Sequence, residues 1–139
     1  MVFLRGSDLS DGKLIKVNLR KADLTGANLS NADLNKVSLI EADLSNANLK
    51  GAILNWAVLR MVSLRGSDLT DGKLIKVNFR KADLTGANLS RSNLSGAYLR
   101  EANLTNTNLS KADLTGAILT GTVFCVTIMP GGTTNNSGC

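Results

Sequence analysis

Hydrophobic residues recur along this chain with a period of five. Counting from Leu4 in steps of five to residue 124 gives twenty-five places, of which twenty-three are Leu and two are Phe (Phe79 and Phe124). Two residues before each stands a small residue: Val2, Ser7, Gly12, Val17, Ala22, Ala27 and onward to Thr122, every one Ala, Val, Ser, Thr or Gly. The other three places are polar in most repeats. A period of five matches neither the 3.6 of a helix nor the 2 of a strand. On an α-helix such leucines would drift by roughly 140° per step. On one continuous strand they would alternate between faces.

The pattern closes if the chain turns a corner every five residues, so that four fives make one square coil of twenty. Leu and the small residue then both point inward, and a narrow interior explains why they alternate. Residues 5–30 return at 65–90 with two changes, Ser10 to Thr70 and Leu19 to Phe79. An offset of sixty is three such coils, which keeps every column in register.

The quintets "ADLTG", "ANLSN", "ADLSN" and "ANLKG" are close matches to A-(D/N)-L-x-x, so the chain resembles the pentapeptide-repeat family over residues 2 to about 125. The resemblance implies an all-β fold: a right-handed quadrilateral β-helix (solenoid) of about six coils, twenty residues per coil, with a short C-terminal cap. Residues 1–125 are expected to form the β-helix and 126–139 the capping tail, because Pro130 cannot donate to a ladder and Gly131-Gly132 marks a turn. The tail "FCVTIMPGG...NNSGC" is similar to that of small cyanobacterial and plastid members, although Gly131 stands where those usually have Asp. The first coil is expected to leave an open edge at which two chains could meet, so the chain is read as a monomer or an end-to-end homodimer.

Charge matters through its placement. The 139 residues carry 16 Lys+Arg and 11 Asp+Glu, a net +5. Sorted by twenty-residue columns, the sides centred on Leu4 and Leu9 carry five basic and seven acidic residues. Those centred on Leu14 and Leu19 carry eleven and four, or +7. Arg20, Arg60, Arg80 and Arg100 share one column, interrupted by Ile40, with Glu41 and Glu101 as expected counter-charges. Beside it lie apolar residues where the motif asks for polar ones: Ile53, Trp56, Val58, Met61 and Tyr98, with Ile118 continuing the Val58 column. Apolar groups ringed by arginine are what a protein-binding surface presents; the plainer alternative is Trp56 packed locally over a corner. The column Asp8, Asn28, Asn48, Asp68, Asn88, Asn108 reads as a ladder of stacked amides.

Catalytic chemistry finds no support. There is no His, hence no Ser–His or Cys–His pair. Neither Gly-rich phosphate loop occurs, and no cofactor or metal is expected. The favoured function is a non-catalytic scaffold for an unknown protein partner. The alternatives are nucleic-acid binding by the basic side, which is disfavoured by the scarcity of stacking aromatics, and DNA mimicry against gyrase, which the positive charge opposes. No apolar run is long enough for a membrane span, and no signal peptide opens the chain, so a cytoplasmic location is expected. Cys125 and Cys139 are expected as free thiols of a reducing compartment, with one disulfide around the tail as the alternative.

Overall fold

The structure, a computed structural model, describes residues 1–139. Parallel bridges link every fifth residue to the one twenty places on, from Phe3–Asp23 through Asn28–Asn48 to Asn108–Ile128. The repeating unit is visible around Leu24. Its N–H donates to the Asp43 carbonyl at 2.7 Å, and the Gly26 N–H donates to the Ser45 carbonyl at 2.9 Å. In the opposite direction the Asn28 N–H donates to the Ser7 carbonyl at 2.9 Å. Each side thus ties its coil to both neighbours.

The corners follow from backbone chemistry. The N–H three residues after each Leu donates back to that Leu carbonyl, as from Ala27 to Leu24 at 2.9 Å. Every fifth residue from Gly6 to Val126 has φ between 51° and 71°. A closing i to i+3 bond with positive φ at the third residue is the type II turn. Glycine fits this place without strain and Asn and Asp tolerate it, yet Lys, Glu and even Trp56 (φ 62°) occupy it too, at a cost of roughly 1–2 kcal/mol each.

The polar residue before each Leu has a local task. The Asn28 side-chain oxygen accepts the Ser30 N–H at 3.1 Å, and the same bond recurs from Asp8 to Ser10, Asn48 to Lys50, Asn88 to Ser90 and Asp113 to Thr115. These are Asx turns, in which the side chain captures an N–H two residues on. The column expected as an amide ladder is therefore a stack of separate Asx turns. No side-chain bond joins one Asn of the column to the next.

Inside, thirty-four residues form one apolar cluster. Leucines from Leu24 to Leu109 are at most 1% exposed, and Phe79 takes a Leu place at 0%. Where the small place holds a hydroxyl, a carbonyl satisfies it: Ser67 and Ser92 donate to Leu64 and Leu89 at 2.6 Å, and Thr107 donates to Leu84 at 2.8 Å. Burial weakens toward both ends, where Leu4, Leu9, Leu14, Leu114 and Leu119 are half-buried.

The register runs past the boundary expected at residue 125. Thr127 occupies the small place, 0% exposed, with its hydroxyl on the Leu104 carbonyl. Met129 takes the next Leu place against the core, and the Lys111 N–H still finds the Pro130 carbonyl at 2.9 Å. Only then does the chain fold back. Strand β1 (Thr127–Ile128) pairs antiparallel with β2 (Thr134–Asn135), and the Gly138 N–H reaches the Phe124 carbonyl at 2.7 Å. This return brings Cys125 and Cys139 to a Cα separation of 4.8 Å, and they are disulfide-bonded. The expectation of free thiols is therefore corrected: the hairpin places the two residues within bridging range.

Candidate protein-docking face

The coil distributes the candidate residues more finely than four sides suggest. One side is centred on the column Asn18, Ser38, Val58, Asn78, Tyr98 and Ile118, which the bridges stack in order. One corner of it carries Lys16, Lys36, Trp56 and Lys76. The opposite corner carries Arg20, Ile40, Arg60, Arg80 and Arg100, followed by Lys21, Glu41, Met61, Lys81 and Glu101. The structure thus brings together Trp56, Val58, Arg60, Met61, Arg80, Tyr98 and Arg100. Ile53 stands round the Trp56 corner, on the next side. Ile40 and Val58 are half-buried rather than open.

On this side and its corners the exposed apolar groups are Trp56 at 54%, Ile118 at 44%, Met61 at 43% and Tyr98 at 41%. Trp56 does not lie folded into the rod. The Lys76 ammonium, one coil on, sits 5.1 Å from the ring centroid, a cation–π contact. Lys76 was not among the sequence candidates, although adding twenty to 56 reaches it.

Counter-charges are distributed unevenly. Glu41 pairs with Arg20 at 3.2 Å and Lys21 at 3.6 Å, and Glu101 pairs with Lys81 at 3.5 Å. The expectation that both glutamates neutralise the arginine column holds for Arg20 alone. Arg60, Arg80 and Arg100 stand on successive coils, about 4.8 Å apart, and no carboxylate lies within 4 Å of any of them. On the far sides acids and bases meet more evenly: Arg5–Asp23 at 3.0 Å, Arg65–Asp83 at 2.9 Å and Arg91–Asp71 at 2.8 Å. The Arg91 guanidinium holds the Asp71 carboxyl below its usual range.

The apolar residues of this side also cost the fold hydrogen bonds. Val58, Tyr98 and Ile118 occupy the place where Asp or Asn would make the Asx turn. The N–H groups of Arg60, Arg100 and Thr120, which such side chains would accept, find no protein acceptor. At Asn78, within the same column, the bond to the Arg80 N–H is present at 3.1 Å. The interior is packed and the rod opens no pocket, and no helix is long and apolar enough to cross a membrane. What the side offers chemically is a flat face on which Val58, Tyr98 and Ile118, with Asn78 between the first two, lie between the Trp56–Lys76 corner and the run Arg60, Arg80, Arg100.

A parallel β-solenoid cornered by a type II turn every fifth residue, with Leu and a small residue inside, defines the class of protein. Two family profiles match: the pentapeptide repeat region over residues 12–89 and pentapeptide repeats in eight copies over 82–121. The chain belongs to the pentapeptide-repeat family. Among solved structures it is similar to HetL, a pentapeptide repeat protein involved in heterocyst differentiation regulation from the cyanobacterium Nostoc sp. strain PCC 7120. Identity is 36% over 96% of this chain and 72% of HetL, with a TM-score of 0.69. It is similar also to Rfr23 of the cyanobacterium Cyanothece 51142, at 39% identity over 66% of this chain and 63% of Rfr23, with a TM-score of 0.64. QnrB1, a plasmid-mediated fluoroquinolone resistance protein, is 19% identical over 88% of this chain and 72% of QnrB1, with a TM-score of 0.49. That distance lends nothing to a gyrase reading. No curated protein sequence matches the chain.

Proposed function

We propose that this chain is a non-catalytic protein-binding scaffold whose partner docks on the side centred on Val58, Tyr98 and Ile118. Trp56 and Lys76 would form one edge, and Arg60, Arg80 and Arg100 the other. The observation that carries the reading is the replacement of Asx-turn acceptors by apolar side chains in this column. Each replacement gives up a hydrogen bond worth about 0.5–1.5 kcal/mol and leaves a hydrophobic group partly in water. Both changes lower stability, so a gain elsewhere is called for. Trp56 adds to this, because a bulky side chain at positive φ is rare. HetL is involved in heterocyst differentiation regulation, and a regulatory role for this chain is compatible with the docking reading. The same reading includes a right-handed winding of about six coils, the hand preferred when parallel strands are joined by crossovers.

The test is retention of a protein from a cell lysate on the immobilised chain, with Arg60→Glu and Trp56→Ala in parallel. Both side chains point to solvent, so circular dichroism should be unchanged. A retained protein that is lost from both variants supports the face; equal retention by wild type and both variants removes it. The unpaired arginines also favour a second reading, weak nucleic-acid contact. That reading requires duplex DNA affinity that collapses between about 50 and 200 mM salt.

A further inference from the structure

We infer that the partner element seated on this side is an acidic amphipathic α-helix lying along the rod axis; the inference rests on the docking-face reading above. Three features select it. The first is charge: Arg60, Arg80 and Arg100 form a run of unpaired cations, while the Glu41 and Glu101 carboxylates beside them are engaged by Arg20, Lys21 and Lys81. A partner presenting carboxylates in a row would complete the run.

The second is spacing. The arginines step by about 4.8 Å per coil. Carboxylates at i, i+3 or i+4, and i+7 on a helix step by about 5.4 Å per turn. Over the two steps from Arg60 to Arg100 the accumulated mismatch is about 1.2 Å, within the reach of flexible arginine side chains. An extended segment repeats on one side every 6.6–6.8 Å or so, and by the third arginine it is about 4 Å out of step. The third is width. Trp56 and Arg60 are four residues apart along one extended side, about 10–13 Å, and a helix is about 10–12 Å across. Its apolar stripe would rest on Val58, Tyr98 and Ile118, crossing Asn78, whose side chain is turned to the Arg80 N–H. A nucleic-acid duplex carries its apolar groups inside its grooves, which a flat side does not enter.

The experiment uses the full chain and fluorescence anisotropy at low salt. The probe is a labelled synthetic helical peptide with Glu at i, i+4 and i+7 along one edge of a Leu stripe. Saturable binding is expected. It should weaken about tenfold or more when Arg60, Arg80 and Arg100 are together changed to Gln, three exposed pairs being removed. It should weaken similarly when the peptide's Glu are changed to Gln. Arg5→Gln with Arg65→Gln, on a remote corner, should leave binding unchanged, which separates this side from general attraction to a basic protein. Equal binding by the triple variant, equal loss from the remote-corner variant, or displacement of the peptide by duplex DNA overturns the inference. If the peptide fails to bind while a lysate partner is still lost from the triple variant, the helix is wrong and the docking face stands. If lysate retention also survives that variant, both are wrong.

Discussion

Asn88→Ala isolates the bond that makes the polar letter of the repeat necessary. The Asn88 side-chain oxygen accepts the Ser90 N–H at 3.0 Å, and Ser90 is only 5% exposed. Truncation removes the acceptor and leaves an N–H that water reaches poorly, which costs about 1–3 kcal/mol. The comparison is Asn78→Ala. Its bond, to the Arg80 N–H at 3.1 Å, has similar geometry, but Arg80 is exposed. Solvent can replace that acceptor, so the cost should be about 0.5–1 kcal/mol. Asn88→Asp keeps the oxygen and should lie within about 0.5 kcal/mol of wild type. Urea unfolding followed by far-ultraviolet circular dichroism measures all three, and an unchanged slope would show that one transition is being compared. Equal losses at positions 78 and 88, or Asn88→Asp as damaging as Asn88→Ala, would refute the Asx-turn account.

Three further outcomes are expected. Val58→Asn restores the missing acceptor for the Arg60 N–H, so urea unfolding should show no loss of stability while retention of the partner falls several-fold. Asp8 is held below the usual carboxylate range by the Ser10 hydroxyl at 2.6 Å and N–H at 3.0 Å, and Asp71 by Arg91. Because their folded pKa values lie below the unfolded value of about 3.9, their contribution is complete above that pH and is lost as pH falls through the depressed values. A stability profile should therefore be flat from pH 7 to 5 and drop below about 4, less steeply in Asp8→Asn. Cys139→Ser opens the loop closed by Cys125 and should cost about 2–3 kcal/mol; correspondingly, the denatured wild-type chain should react with maleimide only after reduction.

Much of the fold was legible because one constraint repeats. Leu24, Leu29, Leu34 and Leu39, with Ala22, Ala27, Ala32 and Val37 two places before them, declare the same inward pair on every side, and the sixty-residue duplication requires a coil length that divides it. The Asx turns were legible too, since Asp or Asn two residues before a corner N–H is a local signal; reading Asn28 to Asn108 along the column hid it. The end of the register was misjudged at Val126 for a similar reason. Pro130 and the glycines dominate the eye, but five steps from Phe124 reach Met129, and Thr127 keeps the small place. The disulfide was not decidable from composition, because it depends on a hairpin that returns Cys139 to Cys125. At the candidate face the column arithmetic placed Trp56, Arg60, Arg80 and Tyr98 correctly relative to one another. Which arginines lack a carboxylate depends on side-chain reach across coils, and letters alone do not carry it.

The most direct measurement places a photo-crosslinking residue at position 98, on the proposed face, and at position 106, an exposed corner remote from it, and exposes both proteins to the same lysate. The account predicts a covalent adduct with a single protein from position 98 and none from position 106. Adducts from position 106 alone, or the same adduct in equal yield from both, would contradict it.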